Sequence, residues 1–224
     1  MSAPNLLNED GSASMATMLM MSHHAFRRDI ARFGVALDKV AAGDTSAVEA
    51  LRREWLNYRG ALHGHHMMED SRVFPHLAGA HASLAPTIAR LTEEHHRIDP
   101  LLERGDRAFE ALPDTHAAQG LVAELKALLD PHLATEEAEL VPFLRPAKEF
   151  PAPANDAEAE LYAQGFAWST HGIAAEVLDR VFALLPESLT SRLPAARAEF
   201  ERRCERVWGS ARAGSATTPI PNAP

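Results

Sequence analysis

The sequence predicts an all-α protein: an up-down-up-down four-helix bundle followed by an added C-terminal helical hairpin. Apolar residues recur at the spacing of a helix face along most of the 224 residues, and the alternating pattern of strands is nearly absent. The breaks between the helical patterns are short, so consecutive helices should be antiparallel neighbours.

Four long helical patterns account for the predicted bundle, which we assign to residues 13–146. The first predicted helix covers about residues 13–40, and the second runs from the Asp44-Thr45 cap to about residue 77. The third covers about residues 83–112, and the fourth covers about residues 115–144. Pro100 and Pro131 fall inside the third and fourth patterns. Because proline removes a backbone donor, both positions predict a bend.

Three further segments follow the bundle. Residues 147–156 are rich in Pro and Ala and predict a linker. Two helical stripes in residues 157–210 predict a hairpin that packs on the bundle. Residues 211–224 are small, polar and contain proline, and they predict a disordered tail.

Composition and charge exclude several classes of function. The net charge of −9 argues against nucleic acid and anionic membranes as partners. No segment approaches the roughly 18 to 20 consecutive apolar residues of a membrane span. Cys204 is the only cysteine, which excludes an internal disulfide. The start of the chain also lacks the basic residues of a signal peptide, and we expect a cytoplasmic protein.

Two copies of one short motif, His-x-x-x-Glu, lie in the predicted second and fourth helices. They are His65 with Glu69 and His132 with Glu136, and a proline follows six residues after each Glu. Residues four apart share a helix face, with roughly 5–6 Å between their Cβ atoms, so each pair can point at the same space. Burying such groups without a partner is costly, and a metal ion removes that cost.

Each motif is preceded by an upstream histidine on the previous helix. His23 lies 42 residues before His65, and His95 lies 37 residues before His132. The duplicated set contains four imidazoles and two carboxylates, which is what a two-metal site inside a helical bundle requires. This mixture of ligands suits iron, and also manganese or zinc, but does not resemble an all-oxygen calcium site.

Vicinal histidines leave alternatives open. His24 and His96 each directly follow an upstream candidate. An apolar residue three positions after His23 and after His95 favours the earlier histidine of each pair as the one facing the core. In the second helix only His65 has a Glu four residues later. Two other histidines are therefore predicted to flank the site or to contact its ligands without binding metal: His63 and His66.

Two further residues invite a role near the metals. Tyr58 lies two helical turns before His65, where it could tune the centre or donate a hydrogen bond to bound oxygen; the alternative is an ordinary core tyrosine. His171 lies on the apolar stripe of the predicted hairpin. It could cover the site or add a ligand, and the alternative is a packing histidine.

Residues 15–146 resemble the hemerythrin-like (HHE cation-binding) domain, chiefly in the segments 65–75 and 132–137. The resemblance implies a non-haem di-iron centre, bridged by two carboxylates and an oxo or hydroxo group, with manganese or zinc less expected. The implied terminal ligands are His23, His65, His95 and His132, and the implied bridges are Glu69 and Glu136.

The sequence departs from the oxygen-carrying hemerythrins in two respects. The second bridge, Glu136, is a Glu and lies four residues after its histidine instead of five. Oxygen-carrying hemerythrins look like sites with five histidines, the fifth lying one turn after the ligand of the third helix. In this sequence that position is Asp99. The resemblance therefore implies a more symmetric site with two histidines per iron and open coordination. Asp99 could ligate or hydrogen-bond a ligand, or it could be a solvated side chain.

We expect a protein that binds or reacts with a small oxidant, namely dioxygen, hydrogen peroxide or nitric oxide, in oxidative or nitrosative stress handling. Catalase- or peroxidase-like turnover would be one form of this function. The alternative is a non-enzymatic iron, oxygen or redox sensor whose metal occupancy controls a partner surface. A zinc protein with a structural or hydrolytic role is a third hypothesis. The oligomeric state does not follow from the sequence.

Overall fold

A computed structural model describes residues 5–209, and every regular element in this range is helical. The α-helices are α1 (Met15–Ala41), α2 (Val48–Met68), α3 (Phe74–Ala80), α4 (Ala85–Glu110), α5 (His116–Glu139), α6 (Val141–Leu144), α7 (Asp156–Ser169), α8 (Ala175–Phe182), α9 (Glu187–Thr190) and α10 (Leu193–Trp208). The prediction of an all-α chain is confirmed for this range. The predicted disordered tail lies outside the described residues.

The predicted helix boundaries are closest for α1 and α4, which begin and end within about two residues of the expected positions. The predicted fourth helix is longer than α5, because the chain breaks at Leu140 before the short α6. Pro142 in α6 has no N–H to donate to the preceding turn, which explains the break. Helices α4 and α5 each continue through their internal proline. The up-down order of the helices stays a prediction.

The predicted second helix is divided by a π-helical turn at Glu69–Val73, between α2 and α3. The Phe74 N–H donates to the carbonyl of Glu69, five residues earlier, which is the spacing of a π turn. Pro75 follows directly and cannot donate, so a regular α-helical ladder cannot run unbroken through this point. The widened turn starts at one of the predicted metal ligands.

The described chain divides into two compact units. One comprises residues 29–140 with 206–209, and the other comprises residues 5–28 with 141–205. The first contains the second half of α1 and all of α2 to α5. Its core is an aromatic cluster in which the ring centroid of Phe33 lies 5.0–5.9 Å from the rings of Trp55, Tyr58, Phe109 and Trp208.

The second unit joins the start of α1 to the C-terminal helices. Arg28 donates to the carbonyl of Trp168 in the last turn of α7 at 3.0 Å and to the carbonyl of His171 just after it at 2.9 Å. Phe26 packs edge-on against Trp168, with ring centroids 4.9 Å apart. The buried guanidinium of Arg28 therefore supplies additional donors to carbonyl groups at the end of α7.

The C-terminal region differs from the predicted two-helix hairpin. It contains four helical segments, α7 to α10, instead of two. Gly172, with a φ of +90°, follows α7 in a conformation that ends a helix. Pro186 and Pro194 interrupt the later pattern, because neither can continue a helical ladder from the preceding turn. Packing of this region on the bundle stays a prediction.

Within residues 5–209, no helix is both long enough and apolar enough to cross a membrane.

Trp55 and Gly105 form a close helix–helix contact between α2 and α4. A Cβ added at Gly105 would overlap the six-membered ring of Trp55, with further ring atoms at 2.5 and 2.7 Å. The indole cannot easily withdraw, because it stacks on Phe109 at 4.6 Å and its N–H donates to Asp106 at 2.9 Å. The glycine is therefore required by packing.

We expect Gly105→Ala to lower the free energy of unfolding by about 1–3 kcal/mol, the usual cost of overpacking a core. Gly120→Ala is the matched control, since a Cβ there meets nothing within 4 Å. It should raise the free energy of unfolding by about 0.5–1 kcal/mol through helix propensity. Urea denaturation measures both, and equal effects would contradict the packing argument.

Candidate metal centre

Five of the six predicted metal ligands lie within the unit that contains residues 29–140, and most are fully buried. Glu69, His95, His132 and Glu136 are at most 2% exposed, and the side chain of His65 is 12% exposed. Helix α2 carries His65, the π turn begins with Glu69, and α4 and α5 carry the others. The i,i+4 spacing brings each His-Glu pair to one helix face, as the sequence predicted.

The carboxylates and imidazoles of these residues are in close contact. Nε2 of His65 lies 3.2 Å from Oε1 of Glu69, and Nε2 of His95 lies 3.6 Å from Oε2 of the same carboxylate. Nε2 of His132 is 3.5 Å from Oε1 of Glu136. Each oxygen of Glu69 therefore approaches a different imidazole, one from its own helix and one from α4.

Two groups of potential ligand atoms share Glu69. One atom from each of His66, Glu69, His95 and His132 lies within 4.8 Å of the others, and the same limit holds among His65, Glu69 and Glu136. A carboxylate has two oxygens, so Glu69 can belong to both groups at once.

The sixth predicted ligand, His23, lies on the first half of α1. This part of α1 belongs to the unit with residues 5–28 and 141–205. His23 is 0% exposed, and its neighbour His24 is also buried at 7%. The choice between the two histidines, and the ligand role itself, stay predictions.

Two carboxylates hold the outer nitrogens of two imidazoles. Both oxygens of Asp70 lie 3.0 Å from Nδ1 of His95, and an oxygen of Glu94 lies 2.9 Å from Nδ1 of His132. A carboxylate accepts hydrogen bonds and does not donate them, so the imidazole proton of each histidine is placed on Nδ1. Nε2 of each ring is then left with a lone pair that points inward. Such outer carboxylates commonly orient metal-bound histidines.

The inward-facing atoms fit a cation. Nε2 of His95 and Nε2 of His132 lie 3.2 Å apart, and with both protons on Nδ1 two lone pairs face each other. Oε2 of Glu69 is buried nearby and has no hydrogen-bond partner among the described residues. Buried lone pairs and a buried carboxylate that approach one another are costly unless a positive charge lies between them. Two imidazoles and a carboxylate are ligands that iron, manganese and zinc accept.

The pKa values of the site follow from burial. Burial, then the charge of Glu136, and then the charge of Asp70, raise the pKa of Glu69 well above its usual value. Burial lowers the pKa of His95, although its hydrogen bond to Asp70 opposes this change. A neutral imidazole is the form that binds metal, whereas Glu69 needs a cation to be held ionised.

His66 does not flank the site at the surface. It is 2% exposed and belongs to the group around Glu69, which fits the alternative that it contacts the ligands. Its position four residues after Leu62 and three before Glu69 continues the buried stripe of α2, a signal available in the sequence. His63 is the flanking residue: its side chain is 55% exposed and its Nδ1 lies 3.5 Å from Asp99.

Asp99 and His171 have other contacts. The side chain of Asp99 is 46% exposed and faces His63, which fits the solvated alternative rather than a ligand. In the other unit, Nε2 of His171 lies 3.1 Å from a carboxylate oxygen of Glu201, and its ring packs edge-on against Phe200 at 5.3 Å. These contacts support the alternative of a packing histidine.

Tyr58 faces the interior of its unit, as predicted. It is 2% exposed and packs edge-on against Phe33 with ring centroids 5.6 Å apart. Burial, followed by the charges of Asp29 and Asp130, raises the pKa of its hydroxyl well above the usual value. The phenol therefore stays protonated at neutral pH and can act as a donor.

The sequence reasoning missed the roles of Asp70 and Glu94. Each directly adjoins a predicted ligand in the chain, Glu69 and His95 respectively, and this adjacency is the only sequence signal. Neighbouring positions on a helix point in different directions, so the signal alone does not show that either acid reaches an imidazole.

Comparison with known families gives one match. Residues 14–160 match the family model described as the hemerythrin HHE cation binding domain. Comparisons with curated proteins and with solved structures find no match.

We expect Asp70→Asn and Glu94→Gln each to weaken metal binding by about 10–100-fold, because each removes the charged acceptor that orients an imidazole. Competition with a chelator measures this loss. Glu93→Gln is the matched control: its side chain is 73% exposed and its contact is with His96. Equal retention of metal in all three variants would show that the outer carboxylates do not support the site.

Glu69→Gln should stabilise the metal-free protein at a pH at which the wild-type carboxyl would have to ionise. A raised pKa means that the folded, metal-free state prefers the protonated acid. Its stability should therefore fall as the pH rises above about 4.5, the ordinary value for Glu. The amide cannot ionise, so the metal-free variant should be more stable than metal-free wild type at pH 8 by about 1–3 kcal/mol.

Urea denaturation of chelator-treated protein at pH 5 and pH 8 measures this difference, which should shrink at the lower pH. Glu103→Gln, at an exposed position of α4, controls for the loss of one charge and should change neither value. A metal-free Glu69→Gln protein that is less stable than wild type at pH 8 would contradict the argument.

Proposed function

This chain belongs to the hemerythrin HHE cation-binding family, and we propose that it is a non-haem di-iron protein that binds or reacts with a small oxidant. The proposed oxidants are dioxygen, hydrogen peroxide and nitric oxide, and the proposed role is in oxidative or nitrosative stress handling. The observation that carries the proposal is that Glu69 is shared by two groups of buried ligand atoms.

The proposed ligands are those of the duplicated motif. Glu69 and Glu136 would bridge two ions, because each is buried and each has two oxygens. Terminal imidazoles would hold the ions from their outer sides; we propose His23, His65, His95 and His132. The place of His23 in this set rests on the sequence repeat and is consistent with its complete burial.

The mixture of ligands supports iron over other metals. Imidazole together with carboxylate is typical of non-haem iron sites, and it also accepts manganese and zinc. Thiolate, which would favour zinc or an iron–sulfur cluster, comes only from Cys204, and that residue is on α10 and outside both groups of ligand atoms. Iron is therefore the proposed metal, and the other two are outcomes of the test.

A bound pair of iron ions would supply redox chemistry to a small oxidant. The chain itself holds and shields such a pair. The ring of Phe74 lies nearly parallel to that of His95, with 5.5 Å between centroids and 14° between planes, and it keeps water from this side of the imidazole. Asp70 and Glu94 hold the protons of two imidazoles on their outer nitrogens.

We also propose a role for Tyr58 as a hydrogen-bond donor to a bound small molecule. The residue is buried on α2, two turns before His65, and its raised pKa keeps the hydroxyl protonated. Tyr58→Phe tests this role, because it keeps the ring within the aromatic cluster and removes only the hydroxyl. A changed affinity for nitric oxide or azide at full iron content would support it.

We expect wild-type protein to contain about two irons per chain, as the two groups around Glu69 require. Glu69→Ala should lose one or both, because the shared ligand is removed. Elemental analysis and the near-ultraviolet spectrum of oxo-bridged iron measure these outcomes. Glu103→Ala, an exposed change of the same kind, should keep the wild-type content. Full metal occupancy in Glu69→Ala would contradict the bridging role.

Rates of peroxide and nitric oxide consumption then separate a catalyst from a binding protein. Turnover that is lost in His65→Ala and Glu136→Ala supports reaction with the oxidant. Tight binding without turnover supports a sensor instead. A colourless protein that retains zinc under iron-rich expression would contradict the proposal of a di-iron centre.

A further inference from the structure

We propose that His66 is a ligand to one of the two metal positions, so that the two positions have unequal ligand sets. This inference rests on the proposed function, because it presumes that the centre holds two ions. It departs from the symmetric arrangement of two histidines per ion that the sequence implied. One position would have three imidazoles, from His66, His95 and His132. The other would have His65 and the proposed ligand His23, and both positions would share the proposed bridges Glu69 and Glu136.

The first support is the direction in which His66 faces. Buried residues of α2 recur at spacings of three and four, and the series Leu62, His66 and Glu69 ends at the shared carboxylate. His66 is 2% exposed, whereas the side chain of His63, on the same helix, is 55% exposed. Helix phase therefore separates the two histidines and places His66 on the face that carries the site.

The second support is the set of groups that surround His66. Its ring stacks on the ring of His95, with centroids 4.0 Å apart and planes 12° apart, and it meets the ring of His132 edge-on at 5.5 Å. The ligand atoms of these three histidines and Glu69 lie within 4.8 Å of one another. Ligand atoms on opposite sides of one bound transition-metal ion lie about 4 Å apart. The four ligand atoms would therefore need to approach one another by less than about 1 Å to bind one ion.

The third support is the chemistry of this group. Asp70 and Glu94 hold the protons of His95 and His132 on the outer nitrogens, so both inner nitrogens present lone pairs. The Glu69 carboxylate also presents lone pairs. The imidazole of His66 adds a further possible lone pair to those of His95, His132 and Glu69. Lone pairs within 4.8 Å of one another repel unless a cation lies between them.

The competing role for His66 is packing alone, through its stacking on His95. Two substitutions separate the roles. His66→Phe keeps a flat ring that can stack on His95 but cannot ligate, and His66→Gln keeps a polar side chain of similar reach. His63→Phe is the matched control, because it changes an exposed histidine on the same helix. The proteins are loaded with ⁵⁷Fe and studied by Mössbauer spectroscopy and by the rate at which a chelator removes iron.

We expect two quadrupole doublets of equal area in the wild-type protein, one for each position. His66→Phe and His66→Gln should change or remove one doublet and leave the other, and the chelator should take that iron at least about tenfold faster. His63→Phe should match the wild type. If both doublets and the chelator rate are unchanged in His66→Phe, the ligand role is overturned.

Two further measurements keep the test decisive. Thermal unfolding of the metal-free variants shows whether they fold. If neither does, the ¹⁵N spectrum of zinc-loaded wild-type protein decides, since a metal-bound shift of the His66 ring nitrogen supports ligation and an unshifted resonance overturns it. Wild-type protein that holds fewer than two ions overturns the proposed function as well, whereas two ions with an unaltered His66→Phe spectrum overturn only this inference.

Discussion

Glu69 is a carboxylate buried among imidazoles, and the architecture of the site depends on the electrostatic cost of that burial. Each of its oxygens approaches a different histidine, one on α2 and one on α4. Because Asp70 draws the proton of His95 to the outer nitrogen, the inner nitrogen of that ring offers a lone pair and no proton to this carboxylate. Buried beside such a lone pair, Glu69 needs a cation to stay ionised, and this need links the packing of the helices to metal binding.

The outer carboxylates connect the helices in a fixed order. Asp70, next to the ligand Glu69, orients His95 on α4; Glu94, next to His95, orients His132 on α5. The π turn and α4 therefore each contribute a ligand together with a group that positions a ligand on the next helix. A shift of α4 would disturb the imidazoles of both His95 and His132, so the packing of this helix and the site are stabilised by the same contacts.

The π turn at Glu69–Val73 serves this arrangement. Adjacent residues of a regular helix diverge around its axis, yet Glu69 and Asp70 both contact the imidazole of His95. The widened turn allows this, and Pro75 makes an unbroken α-helical ladder impossible at that point. The aromatic cluster around Phe33 lies in the same unit and packs α2 against α4, which holds the two ligand-bearing helices together through apolar burial.

The sequence by itself determined the all-helical class, the extents of α1 and α4, and the pairing of each His with a Glu, because these features depend on local periodicity. The tertiary structure alone decided which acids reach the imidazoles and how residues 157–209 divide into segments. It also decided that His66 faces the site, although the buried stripe of α2 contained that signal. Contacts such as Asp70 with His95 join residues 25 positions apart, and their formation depends on helix phase after a π turn. A shift of one residue rotates a helix face by about 100° and so changes which side chain is buried. Such contacts therefore follow from packing between helices rather than from local pattern.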